Sequence, residues 1–291
     1  MFKNENIKWF YLALLALIWG SSFILMKHAL KGFAPMQVGA LRMVFTGVIV
    51  IIWGFKKLKT IQLRHWKAIA LIAVFATTIP ALLFPLAIKH IDSSIAAVIN
   101  AVVPLNTIII GYFIFKFSFR KDQVLGVIIG LIGTVALILI GADSHPNQNY
   151  FYAIFVFISA LGYALNVNLI KSKLHDLDPL AITVGPFALV LIPMLFVLYF
   201  SGFFEAYNGS EVQNNALLYL GILSLVGTAI SKVIFNKLVQ ISSPVFATSV
   251  TYLIPIVALF WGVLDGEKIV FWQIIAGVVI LLGVYLANRN R

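Results

Sequence analysis

The chain has 291 residues, of which 62% are apolar and 11% charged, with a net charge of +11 and no cysteine. A soluble domain carries about 25% charged residues, so this composition excludes a water-soluble globular fold, and the missing cysteine excludes disulfides and cysteine metal sites. The positive charge flanks apolar runs, where it sets membrane orientation, so no nucleic-acid partner is expected.

A helix needs about 20 apolar residues to cross a bilayer, and its backbone must be satisfied internally. The first run, 8–27, follows Lys3 and Lys8. Lys27, His28 and Lys31 stand where a signal peptide would have small residues, so an uncleaved helix is expected. Nine further helices are predicted at 35–54, 67–88, 93–115, 123–142, 150–170, 179–200, 215–238, 244–264 and 270–288. Pro35 and Pro179 fall at first-turn positions, where a missing N–H costs least. Pro104 and Pro255 fall inside apolar runs and are expected to bend their helices as hinges.

The pattern repeats. An offset of 144 pairs Trp19 with Tyr163, Lys27 with Lys171, Leu30 with Leu174 and Pro35 with Pro179. An offset of 151 pairs Pro104 with Pro255, Gly111 with Gly262, Lys116 with Glu267 and Gly126 with Gly277. The chain therefore divides into repeats at 1–145 and 146–291. With five helices in each, the second must enter the membrane from the opposite side, the inverted architecture of many secondary transporters.

Placing the N-terminus inside leaves fifteen lysines and arginines on that face and four, Lys27, Lys31, Lys89 and Lys268, on the other. Both termini are predicted cytoplasmic, in a cytoplasmic (inner) membrane.

Polar groups within hydrocarbon normally face a bundle interior or a cavity. Arg42 and Lys232 are the two cations lying away from the ends of predicted helices, and Asn236, one turn beyond Lys232, is its expected partner. Asn100 and Asn106 flank Pro104, Asn166 and Asn168 lie late in the sixth helix, and Thr251 and Tyr252 precede Pro255. Trp19 and Tyr163 are candidate pocket walls, against ordinary packing. Gly126, Gly130, Gly133, Gly277 and Gly283 give the fifth and tenth helices smooth faces for contact within or between subunits, so a monomer or a homodimer through these helices is expected.

All ten acidic residues fall in loops, tails or helix ends, leaving no mid-membrane carboxylate for a proton or sodium relay. The five histidines show no ligand spacing, and there is no phosphate loop or HExxH motif. Neither a metal nor a cofactor is expected, and the chain is read as a transporter rather than an enzyme, with an integral-membrane enzyme as the alternative class.

LALIWGSSFILMKHAL, the APMQVGALR segment from Ala34 to Arg42, the pattern Ser93 to Pro104 and the ending GEKIVFWQIIAGVVILLGVYL resemble the EamA family of the drug/metabolite transporter superfamily. The resemblance covers nearly the whole chain. It implies an all-α membrane protein of ten transmembrane helices in two inverted five-helix repeats, moving small metabolites by alternating access. It also implies a central cavity walled by helices one to four and six to nine. Carried onto this sequence, the cavity candidates are Trp19, Ser22, Arg42, Asn100, Tyr163, Asn166, Lys232 and Tyr252. Aromatic or apolar amino acids are the expected substrates, with organic anions or sugar phosphates as the alternative. Glu267 matches the acidic residue that commonly starts the last loop of a repeat, but Lys116 stands at the equivalent first-repeat position.

Overall fold

The computed structural model describes residues 2–91, 96, 99–141, 149–264 and 271–288, and no strand occurs among them. The principal helices are α1 (Phe2–Gly32), α2 (Pro35–Leu58), α3 (Leu63–Ile88), α4 (Val103–Phe113), α5 (Lys121–Gly141), α6 (Ala153–Lys173), α7 (Pro179–Phe200), α8 (Glu211–Ile241), α9 (Pro244–Thr248), α10 (Val250–Leu264) and α11 (Phe271–Asn288). Seven of the described helices, α1 to α3 and α5 to α8, are long and apolar enough to cross a membrane. The apolar helices at Val103–Phe113, Pro244–Val257 and Phe271–Ala287 are shorter.

Local chemistry sets the helix starts. Pro35, Pro179 and Pro244 open α2, α7 and α9. The Asp178 carboxylate accepts from the Leu180 N–H at 2.8 Å, and the Ser243 hydroxyl accepts from the Phe246 N–H at 3.1 Å. Each side chain thereby satisfies one of the orphan donors of a helix N-terminus.

Two expectations need correction. Helix α1 runs on through His28 and Lys31 to Gly32 rather than ending at Lys27, because side chains with polar tips can reach polar surroundings while the backbone stays helical. Pro104 is not an interior bend: residues 101–102 form a turn, and Pro104 lies in the first turn of α4, where its missing N–H leaves no hydrogen bond unmade. Pro255 does lie within its helix, α10. Glu267, with its comparison to Lys116, lies outside the described residues.

Helices α3 and α8 each leave α geometry for one π-helical stretch, Ile72–Thr78 and Leu225–Ile230. In α3 the stretch ends just before Pro80, whose ring cannot accept a regular turn against the carbonyl four residues earlier. The widened turn presses on α6: a Cβ at Gly162 would collide with the carbonyl oxygen of Phe75.

The most extensive helix contact joins α5 to α11, followed by α2 with α7 and α1 with α8. On the α5–α11 seam, Gly126 and Gly283 let the two backbones touch, and Gly133 meets Ile280. The glycine face of α5 is therefore used within the chain.

The end of the bundle that holds the start of α1 is closed. A buried apolar layer, including Leu12, Leu15, Ile69, Ile170, Leu174 and Leu238, fills it. Outside that layer, Lys57 Nζ lies 2.8 Å from the Asp178 carboxylate and Arg64 Nη2 lies 2.6 Å from Asp176. Lys171 Nζ donates to the carbonyls of Gln240 and Ser242, and Gln240 donates to the Leu177 carbonyl. These polar contacts strap α2 and α3 to the α6–α7 connection, and α6 to the end of α8.

Candidate functional site

Above the apolar layer lies a cavity of about 180 Å³, walled by α1, α2, α3, α6, α7, α8, α9 and α10, together with Asn100 and Val103. Its apolar surface comes from Trp19, Phe23, Met26, Phe84 and Phe235, among others. Two cations enter it from different helices, and none of its lining residues among those described is acidic.

Arg42, from α2, is anchored at one edge. Its Nε donates to the Thr228 hydroxyl of α8 at 2.9 Å, and its two Nη atoms have no acceptor among the described residues. A guanidinium held this way keeps its outer fork for a planar anion. Lys232, from α8, donates from Nζ to the Thr77 hydroxyl of α3 at 3.1 Å and stands 5.5 Å over the Phe187 ring. Its expected partner is otherwise engaged: the Asn236 amide donates to the Thr183 hydroxyl at 2.9 Å and to the Pro179 carbonyl, tying α8 to the start of α7. Lys232 is long enough to reach across to α3 instead.

Trp19 forms part of the wall, but its indole N–H is spent on the protein, donating to the Gly227 carbonyl at 3.2 Å and the Ser231 hydroxyl at 3.1 Å. It covers a carbonyl exposed by the π turn of α8 and offers the cavity an apolar ring. The Ser22 hydroxyl is likewise turned back to the Ile18 carbonyl. Asn100 is only 8% exposed, and its side-chain oxygen has no partner among the described residues. Tyr163 and Asn166, from α6, add to the polar lining.

Seven of the eight sequence candidates thus share one wall, and Tyr252 does not. It is 1% exposed, points away from the cavity and packs against Gly130 of α5, with its hydroxyl donating to the Val127 carbonyl at 2.8 Å. The neighbouring Thr251 lines the cavity instead, as the rotation of about 100° per residue requires. Asn168 ties α6 to α4 through the Thr107 carbonyl, and Asn106 is buried away from the lining.

Sequence reasoning passed over Thr77 and Thr228, the acceptors for the two cations. A signal was available: the 151-residue offset that pairs Pro104 with Pro255 also pairs Thr77 with Thr228.

A model of the EamA-like transporter family matches residues 7–139 and again residues 150–289. The chain belongs to the EamA-like transporter family. It is therefore a multi-pass membrane transporter of the drug/metabolite transporter superfamily, built from two EamA repeats.

Its EamA relatives share modest identity over nearly their full length. An uncharacterized transporter of Archaeoglobus fulgidus is 24% identical over 98% of this chain and 99% of its own. The uncharacterized inner membrane transporter YedA of Escherichia coli K12 is 26% identical over 95% of this chain and 89% of its own. An S-adenosylmethionine/S-adenosylhomocysteine transporter of Chlamydia muridarum is 23% identical, covering 91% and 86%. A protein of known crystal structure, 15% identical, superposes with a TM-score of 0.71 over 96% of this chain and 95% of that one, so this EamA protein shares its fold.

Proposed function

We propose that this chain is a secondary transporter that moves small amphipathic metabolites bearing a carboxylate, by alternating access, across a cytoplasmic (inner) membrane. In this reading the chain crosses ten times, as two inverted five-helix halves, 1–145 and 146–291, with both termini cytoplasmic. The three shorter apolar helices complete the crossings. Both repeats of one chain line the cavity, so in this reading each copy carries its own transport path, and the apolar outer faces of α5 and α11 meet lipid. The strapped, apolar-filled end is the cytoplasmic one, which makes this conformation closed toward the cytoplasm.

The observation that carries the reading is the free guanidinium fork of Arg42 in an aromatic-walled cavity shared by both repeats. A carboxylate can meet the fork while an apolar or aromatic side chain lies against Trp19, Phe23 and Phe84. Aromatic and apolar amino acids are the first class to test. The Chlamydia muridarum relative named for S-adenosylmethionine is consistent with them, since that molecule has an α-amino-acid end.

A second reading, an organic-anion or sugar-phosphate carrier, has its own observation: two cations and no carboxylate among the described wall residues match a net-negative ligand better than a zwitterion.

The test is counterflow into proteoliposomes preloaded with unlabelled substrate, using labelled L-phenylalanine, phenylpyruvate, phenethylamine and a hexose phosphate. Saturable exchange of L-phenylalanine, at least about tenfold reduced in Arg42→Ala, supports the amino-acid reading. Exchange of phenylpyruvate or the hexose phosphate without L-phenylalanine moves the assignment to organic anions. Exchange of phenethylamine alone rejects anion recognition by Arg42.

A further inference from the structure

The two π-helical stretches occupy matched places in the repeats, and the threonine at the same position of each holds a cavity cation. A π turn inserts an extra residue, so it re-aims the side chains around it and is often found at functional sites. Here it delivers Thr77 and Thr228, each 3% exposed, beneath the cavity cations. The Thr228 hydroxyl donates to the Leu223 carbonyl at 3.1 Å, which fixes its proton and leaves a lone pair aimed at Arg42 Nε.

The contacts cross between the repeats. Arg42 belongs to the first family match and its threonine to the second, whereas Lys232 belongs to the second and its threonine to the first. The cations themselves are not repeat-related: the 144 offset carries Arg42 to Pro186, and the 151 offset carries Lys232 back to Ala81. The holders are in register between the repeats while the cations stand at unmatched positions.

We infer that Thr77 and Thr228 are a matched pair of positioning residues, each fixing a substrate-facing cation of the opposite repeat so that one anion is held by both halves. The inference rests on the reading of this cavity as an anion site. With Nε occupied, Arg42 can present only its Nη1/Nη2 edge, which selects an end-on approach of the carboxylate. With one N–H given to Thr77, Lys232 is held over the Phe187 ring rather than sweeping the cavity. Neither threonine needs to touch the ligand.

The test uses the full chain in lipid nanodiscs, with Thr77→Val and Thr228→Val, which keep the shape and remove the hydroxyl, and Thr77→Ser and Thr228→Ser, which restore it. Calorimetric titration with phenylpyruvate should show each valine variant weakened about tenfold and each serine variant within about twofold of wild type. A ligand-free readout runs beside it: the rate at which phenylglyoxal modifies Arg42, mapped by mass spectrometry, should change at least about threefold in Thr228→Val and return to the wild-type rate in Thr228→Ser. Valine variants that match wild type in both readouts, while Arg42→Ala abolishes phenylpyruvate binding, overturn the positioning role and leave the anion site standing. If phenylpyruvate fails to bind wild type, the anion-site reading loses its support. The positioning role is then decided by the phenylglyoxal rates alone, and equal rates in all variants overturn it.

Discussion

Lys116 holds a left-handed backbone, with φ of 57°, at the end of α4, where the Phe117 N–H reaches back to the Gly111 carbonyl at 2.9 Å. A left-handed residue just past a helix end is usually glycine, and a residue with a Cβ pays about 1 kcal/mol or more for that conformation. Lys116→Gly is expected to raise the melting temperature of the detergent-solubilised protein with counterflow unchanged; a fall in melting temperature counts against the argument. Tyr252 offers the opposite case. Tyr252→Phe loses one buried hydrogen bond to Val127, costing about 1 kcal/mol, and should leave the transport KM unmoved because the ring is remote from the cavity. A severalfold KM change would return Tyr252 to the substrate path. At this scale the sequence reveals that a polar group lies within a crossing but not which way it faces. Thr251 and Tyr252 are equally visible as letters, and only the rotation of α10 separates lining from packing.

Among the elements, the π turn of α3 sets the closest tolerance, because Gly162 of α6 rests on the carbonyl oxygen of Phe75. Backbone cannot yield there as a flexible side chain would. Gly162→Ala is expected to cost about 1–3 kcal/mol, read as a lowered melting temperature, and to weaken counterflow more than an alanine at Gly221, around which nothing lies within 4 Å. Equal effects at the two glycines would show that the π turn can shift. Element existence was legible because runs of apolar letters without strand-like alternation leave little alternative. The π turns were not, since a widened turn has no compositional mark beyond Pro80, and α8 has its π turn without any proline within it. Pro104 was read as interior for a related reason: a turn between two helical pieces is written in the same apolar letters as the pieces themselves.

For the whole molecule, the polar straps govern which end is shut. A hydrogen bond from Lys57 leads the interactions that hold the Asp178 carboxyl below its ordinary range. A depressed carboxyl contributes stability that is complete above its unfolded value, about 3.9, and is lost as pH falls through the lowered folded value. The melting-temperature difference between wild type and Asp178→Asn should therefore be flat from about pH 5.5 to 8 and vanish on acidification below about pH 4. Asparagine keeps the helix cap, so the comparison isolates the charge. The pair is about two-fifths exposed, 42% and 41%, so the effect is small and should shrink further in high salt. A difference that grows on acidification would contradict the assignment. The repeat pattern made the overall plan readable, because offsets between distant residues survive in the letters. The cross-repeat bonds of the cavity were not, since Arg42 and Lys232 have no counterparts in each other's repeat.

The seam between α5 and α11 also bears on how the chain is made. Helix α5 leaves the ribosome long before α11, and until α11 is synthesised and inserted, Gly126 and Gly133 face lipid with no surface shaped to cover them. A nascent chain stopped short of Phe271 would hold every cavity residue described above yet present an open glycine groove to the membrane. The groove on α5 is therefore closed only by the helix farthest in sequence from where the cavity begins.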